Sequence, residues 1–285
     1  MNPGIVISLI QNIAILLAMV FIYSMLLRKR ATDRMIFRIL AGIVNGMVGI
    51  LLMWTALQLD NGVIFDTRSI LISVSGLFFG VIPTFISAII MILYRISLGG
   101  PGMIVGVVVV ITTSIIGIWA HRYLLKRILA NVKKSGLTIY LFGVIVHIDM
   151  ILCMFILPEE LRWETLSSIA LPVIILYPLG TYLLCRILLD QIERQNLDRR
   201  IAESEAKYRN IAENTSDIIW TMDTSFHLTY VSPACERIFG EPSDKFMEKS
   251  ILQRVVPGDV ERTKKYLNEL LETNSSTGKM NLYPK

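Results

Sequence analysis

Residues Asp66 to Gly102 read DTRSILISVSGLFFGVIPTFISAIIMILYRISLGGPG. The stretch is almost wholly apolar, yet Arg68 stands near its start and Arg95 near its end. An arginine in or beside a membrane segment needs a partner, because a bare guanidinium in hydrocarbon is expensive. Gly76, Gly80 and Pro83 break the middle, and Gly99, Gly100, Pro101 and Gly102 close it. Two planar, permanently charged forks bracketing one broken apolar stretch suit a carboxylate or a phosphate. The competing reading pairs each arginine structurally, Arg68 with Asp66 for instance.

The surrounding chain is of the kind that would carry such a site. Hydrophobic residues make up 53% of its 285 positions, a level of polytopic membrane proteins rather than soluble domains. Long apolar runs occupy the part before about residue 185, and the rest is charged and mixed. The net charge of +5 does not point to nucleic acid. The basic residues cluster beside apolar spans, at Arg28-Lys29-Arg30, Arg34 and Arg38, then at His121-Arg122, Lys126-Arg127 and Lys133-Lys134. Cytoplasmic loops have that signature. Cys153, Cys185 and Cys235 form no metal pair and no CxxC, so they read as buried thiols.

Apolar spans are expected at 4–27, 37–58, 103–121, 137–157 and 168–189, the last kinked by Pro172 and Pro178. The first lacks a charged leader and a cleavage site, so it reads as retained. The basic segments, set inside, place the N-terminus outside and the tail in the cytoplasm. The 66–102 stretch must then leave and return on the outer side. Broken at Gly80–Pro83, each limb has about 14 residues, or some 20 Å, short of the roughly 30 Å apolar core. It is either re-entrant or a pair of short tilted helices, and in both cases Arg68 and Arg95 meet at the outer end. The loop Pro158–Glu164 is acidic, as an external loop can be.

Residues 186–208 contain no Gly or Pro, and Ile187, Leu197, Ile201 and Tyr208 fall near a heptad seam. A dimerising coiled-coil connector follows, although Asp190, Gln191 and Arg194 interrupt the seam. Beyond it, 217–223 and 227–232 read as two strands joined by a short turn. Short helices at 233–239 and 242–249, a longer one at 257–272 and a strand at 279–283 complete the tail. The fold class is therefore a polytopic α-helical membrane domain, about 5–6 spans plus a broken helical hairpin, followed by an α+β domain.

Two resemblances sharpen this reading. Asp217-Ile-Ile-Trp220, Tyr230-Val-Ser-Pro-Ala-Cys-Glu-Arg-Ile-Phe-Gly240 and Val256-Pro-Gly-Asp259 resemble a sensor-type PAS domain. That family has a five-stranded antiparallel sheet, whose last two strands would lie past Lys285. The run Asp66-x-Arg68-Ser69, Gly76-Leu-Phe-Phe-Gly80 and Tyr94-Arg95 followed by Leu98-Gly99-Gly100 resembles the five-transmembrane LytS-type receptor domain. The resemblance, which covers roughly residues 30–190, implies an input receptor in the membrane domain at 1–190, a connector at 186–208 and the N-terminal part of a PAS domain at 204–285. It implies a bacterial or archaeal inner membrane, and a histidine kinase or diguanylate cyclase beyond residue 285, with no catalytic part in this chain. A fainter likeness to vitamin-transporter binding subunits leaves a small-solute transporter with a regulatory tail as the alternative. A plain anchor or cell-wall stress detector is a third reading.

The expected ligand site gathers Arg68, Arg95, Asp66, Tyr94, Ser97, Gly99, Gly100 and His147, with Ser69 as a further donor. Gly99, Gly100 and Gly102 offer backbone N–H groups at the start of the next helix. Asp149 lies two positions from His147, about 200° round a helix, so the two are not one dyad. The tail carries no haem-ligand or flavin-cysteine signature, so no cofactor is expected. The expected partners are a small anion, the lipid bilayer and a second copy of the chain.

Overall fold

The structure is a computed structural model that describes residues 11–12, 14–20, 34–58, 63–215 and 217–273. Of the expected first span, 11–12 and 14–20 are helical. The remainder of that span, Arg28-Lys29-Arg30, residues 59–62 and the strand expected at 279–283 lie outside the described residues. The chain divides into two units, Met1–Gln195 and Asn196–Lys285.

The first unit contains α1 (Arg34–Trp54), a two-stranded hairpin of β1 (Leu57–Gln58) and β2 (Ile64–Phe65), then α2 (Arg68–Phe79), α3 (Val81–Leu98), α4 (Met103–Tyr123), α5 (Leu125–Ala130), α6 (Gly136–Cys153) and the larger part of α7 (Glu159–Asn214). Among the described residues, five helices are long and apolar enough to cross a membrane. After α1 the chain pairs Leu57 with Phe65 and Gln58 with Ile64.

Two further segments differ from the sequence expectation. The basic run 121–134 is mostly helical rather than loop: it ends α4, forms α5 and closes in a 3-10 turn at Val132–Lys134. The acidic Pro158–Glu164 segment is not a loop either. Glu159 and Glu160 form the first turn of α7, where Pro158 precedes the helix and the exposed N–H groups favour acidic neighbours. The expected last span and connector are thus one helix of 56 residues. Pro172 and Pro178 lie inside it, depriving the Ser168 and Ile174 carbonyls of their usual N–H donors.

The broken stretch has unequal limbs of 12 and 18 residues. A single residue, Gly80 at φ 75°, joins them in a conformation that glycine adopts at little cost. Pro83 falls in the first turn of α3, where an N–H would go unpaired anyway, so it starts a helix rather than breaking one. Hence α3 reaches about 27 Å and α2 only about 18 Å.

Close backbone approach fixes how α2 lies on α4. A Cβ on Gly117 would stand 2.5 Å from the Ser73 carbonyl oxygen, and one on Gly76 would stand 2.7 Å from the Gly117 backbone. At the C-terminal end of α2, His121 Nδ1 donates to the Leu77 carbonyl at 2.8 Å. The α1–α3 contact is equally tight: Gly42 and Gly46 face Ile86 and Ile90 with no room for a side chain. Small residues let membrane helices approach this way.

In the second unit, β3 (Trp220–Met222) pairs antiparallel with β4 (Leu228–Val231), and α8 (Ala234–Phe239), α9 (Ser243–Met247) and α10 (Val260–Thr273) follow. Leu228, Val231, Cys235, Phe246, Ile251 and Leu267 form its core. Arg254 lies 3.8 Å from the Phe246 ring centroid and pairs with Glu241 at 2.7 Å.

Asp223 organises the hairpin turn: its Oδ1 accepts from the His227 and Ser225 amides, both at 2.9 Å. Those bonds, the one from His227 foremost, hold its carboxyl below the usual range. A lowered folded-state value stabilises the turn above the ordinary carboxylate pKa and is lost as pH falls through the lowered one. The exchange protection of the Ser225 and His227 amides should therefore fall selectively on acidification, relative to that of β4. Asp223→Asn should remove that pH dependence.

Candidate functional site

The start of α2 carries the first charge pair. Asp66 Oδ1 accepts from both the Arg68 backbone N–H at 2.9 Å and Arg68 Nε at 2.7 Å. Arg68 Nη1 reaches the Met53 sulfur at 2.9 Å, a weak acceptor. The structural partner weighed for Arg68 is thus in place. Both residues are buried.

Arg95 comes from the far end of α3 and is 1% exposed. Its Nη1 donates to the Gly99 carbonyl at 2.6 Å. Its stem lies along α4, where a Cβ on Gly106 would stand 2.7 Å from Nε and one on Gly102 would stand 3.4 Å from Nη2. Glycines spaced i, i+4 make the slot that admits this side chain. Arg95 is within electrostatic reach of Arg68 and Asp66.

The helix contacts set the depth of Arg68. Gly80 lies against His121 and Gly76 against Gly117, a constant offset of 41 positions between α2 and α4. The same offset sets Arg68 level with Val109, six residues past Met103, which is about 9 Å below the start of α4. Arg68 thus lies beneath the end of the bundle, not at its rim.

Between these elements lies a cavity of about 30 Å³. Asp66, Arg68 and Ser69 give it polar atoms, Gly102 and Gly106 form one side, and Val63, Val105, Val109, Met150 and Met154 supply apolar wall. That volume holds roughly two waters. Asp66 Oδ2 and Arg95 Nε are buried with no hydrogen-bond partner among the described residues, as are Thr67 Oγ1 and Tyr177 Oη nearby. Buried polar atoms are normally satisfied, so a cluster of such exceptions calls for an explanation.

His147 adjoins the cavity through Ser69. Its Nδ1 donates to the Gly143 carbonyl at 2.6 Å. In the neutral ring Nε2 is then an acceptor, with Ser69 Oγ at 3.4 Å. The ring also meets Tyr177 edge-on at 5.2 Å, and Tyr177 stacks on Phe65 at 5.4 Å.

Other expected residues lie elsewhere. Ser97 is exposed and its hydroxyl donates to the Tyr94 carbonyl at 2.7 Å. Tyr94 is half-buried against the apolar core. The Gly99 N–H is spent on the Ile96 carbonyl at 3.1 Å, so Gly99 contributes a carbonyl to Arg95. Gly100 is exposed, at φ 84°. Asp149 accepts from Thr112 Oγ1 at 2.6 Å. Among the described residues, no three His, Cys, Asp or Glu side chains form a metal cluster.

Sequence reasoning overlooked Gly106 and Tyr177. The first had a signal in its spacing from Gly102. The second had one in being a polar-tipped ring inside an apolar span, which needs a partner when buried.

Comparison with known families places the two units. A family model described as "5TMR of 5TMR-LYT" matches residues 20–191, and one described as "PAS domain" matches residues 206–274. No curated protein and no solved structure matches the chain. Both matched domains are sensory rather than catalytic. The chain belongs to the 5TMR-LYT receptor family and is a multi-pass membrane protein of sensory signal transduction that carries a PAS domain.

Proposed function

We propose that the membrane unit is a receptor for a small anion, a short carboxylate, held by Arg68 and Arg95. The observation that carries this reading is a charge imbalance: of two buried guanidiniums, that of Arg68 pairs with Asp66, and the Nε of Arg95 has no partner among the described residues. A carboxylate ligand supplies the missing negative charge and accepts from Arg95. A hydroxyl on the same ligand donates to Asp66 Oδ2. The cavity holds only about two waters, so an acid of three or more heavy atoms binds a wider packing of α2, α3 and α4. Binding then favours that packing by the difference in affinity between the two forms.

In this reading the receptor faces outward in a cytoplasmic membrane, and α7 passes the change to the PAS domain. A kinase or cyclase encoded further along the chain is the output. Two copies pair along α7, where Leu197, Ile201, Tyr208 and Ile211 are exposed at heptad spacing.

Calorimetric titration of the purified chain with short mono- and dicarboxylates, and with inorganic phosphate, tests the site. Arg95→Gln should weaken carboxylate binding at least tenfold, the size of one lost charge-assisted bond. Unchanged affinity in both Arg95→Gln and Arg68→Lys overturns the site. Accumulation of the acid inside proteoliposomes would favour a transporter instead.

A further inference from the structure

A second cavity, of about 260 Å³, lies beside Thr67, on the α7 side of the same α2 N-terminus. Its floor is buried: Leu16, Thr67, Ile70, Tyr177 and Leu184 are each at most 5% exposed. Its rim is not: Leu17, Leu176, Leu179 and Leu183 are each more than 40% exposed. Exposed leucines on a membrane-spanning helix face lipid, so the cavity opens sideways into the bilayer. Gly180 lines it as well, and its missing side chain keeps the space open.

Two residues of the floor also carry unanswered polar atoms. Thr67 and Tyr177 both line this cavity and are 2% exposed, and neither Thr67 Oγ1 nor Tyr177 Oη has a partner among the described residues. In hydrocarbon a hydroxyl without a partner costs free energy, and lipid tails cannot supply one. A ligand oxygen can.

We propose that this cavity binds an uncharged lipophile from the bilayer, with an apolar body of about ten heavy atoms and a carbonyl or hydroxyl at its buried end. The size follows from the volume, since a cavity of about 150 Å³ admits benzene. The oxygen accepts hydrogen bonds from Thr67 and Tyr177, and the body lies against Leu176–Leu184 of α7. The site is distinct from the arginine cavity: Asp66 and Arg68 line that one, Thr67 between them lines this one, and no charged side chain lines it. An acid therefore has no counter-ion here.

The test uses the full chain in lipid nanodiscs with two radiolabelled probes, 1-decanol for a hydroxyl-ended chain and menadione for a carbonyl-bearing ring. Saturable binding of at least one, above its partition into empty nanodiscs, is expected; which one binds tells a chain from a ring. Gly180→Leu fills the space and should weaken that binding at least tenfold. Thr67→Val and Tyr177→Phe keep the shape but remove the hydroxyls, and each should weaken it about fivefold, one neutral hydrogen bond. Arg95→Gln should leave it unchanged, which separates this result from the fate of the anion site. Absence of saturable binding by either probe overturns the proposal. So does full binding by Gly180→Leu, by the two hydroxyl variants together, or binding lost only in Arg95→Gln.

Discussion

Arg68→Met is expected to destabilise the membrane unit by about 3–5 kcal/mol, the penalty for leaving one partner of a buried ion pair alone. Asp66 is 4% exposed, and one of its oxygens already lacks a partner among the described residues. Without the guanidinium, the carboxylate keeps, among the described residues, only the backbone N–H of residue 68 at 2.9 Å. The double variant Asp66→Asn with Arg68→Met removes both charges and should recover most of the loss. Denaturant or thermal unfolding of the purified chain in detergent measures both. If the single variant were as stable as the parent chain, Asp66 would not depend on Arg68. The double variant should still fail to bind a carboxylate, separating the structural role of the pair from ligand recognition.

Gly117→Leu should be at least as damaging, costing about 3 kcal/mol or more. The added Cβ would stand 2.5 Å from the Ser73 carbonyl oxygen and 3.1 Å from the Gly76 Cα. These are backbone atoms, so relief requires moving a whole helix, and α2 carries Asp66 and Arg68 with it. Loss of the monodisperse peak in size-exclusion chromatography, or a large fall in melting temperature, is the expected readout. Gly136→Ala is the matched control. A Cβ there would meet only Tyr182 side-chain atoms, at 3.7 and 3.8 Å, which is ordinary contact. A Gly117→Leu protein that melts with the parent would show that α2 and α4 can separate freely.

Much of the fold was legible in the sequence because hydrocarbon imposes its rules on composition. Spans need long apolar runs, so α1, α4 and α6 lay close to where hydropathy put them. The PAS strands were marked by alternation and a turn. The α2–α3 break was legible at Gly80, but its asymmetry was not, because the sequence does not say that Pro83 starts a helix instead of ending one. The helical 121–134 run and the early start of α7 were hidden by charge, which reads as loop near a membrane even where a helix continues past the interface. At the candidate site, Asp66, Arg68 and Arg95 stood out as charges in an apolar run. The approach of His147 to Ser69, and of Arg95 to Gly106, depends on which helices pack together. Separations of 78 and 11 residues in sequence give no hint of it.

The α1 glycines bear on how genetic data for this protein should be read. Gly42, Gly46 and Gly49 each face an α3 side chain with no room for even a methyl group. A saturation scan scored by growth or by signalling output would rank these positions with Arg68 and Arg95 among the least tolerant. A map of intolerance would then draw a stripe along α1 that resembles a ligand surface but touches no ligand. Alanine at those positions, paired with a smaller residue at Ile86, Ile90 or Met91, should restore output, whereas no neighbour can replace a guanidinium. Rescue by a partner's shrinkage, rather than intolerance itself, is therefore what tells contact geometry from recognition in such a map.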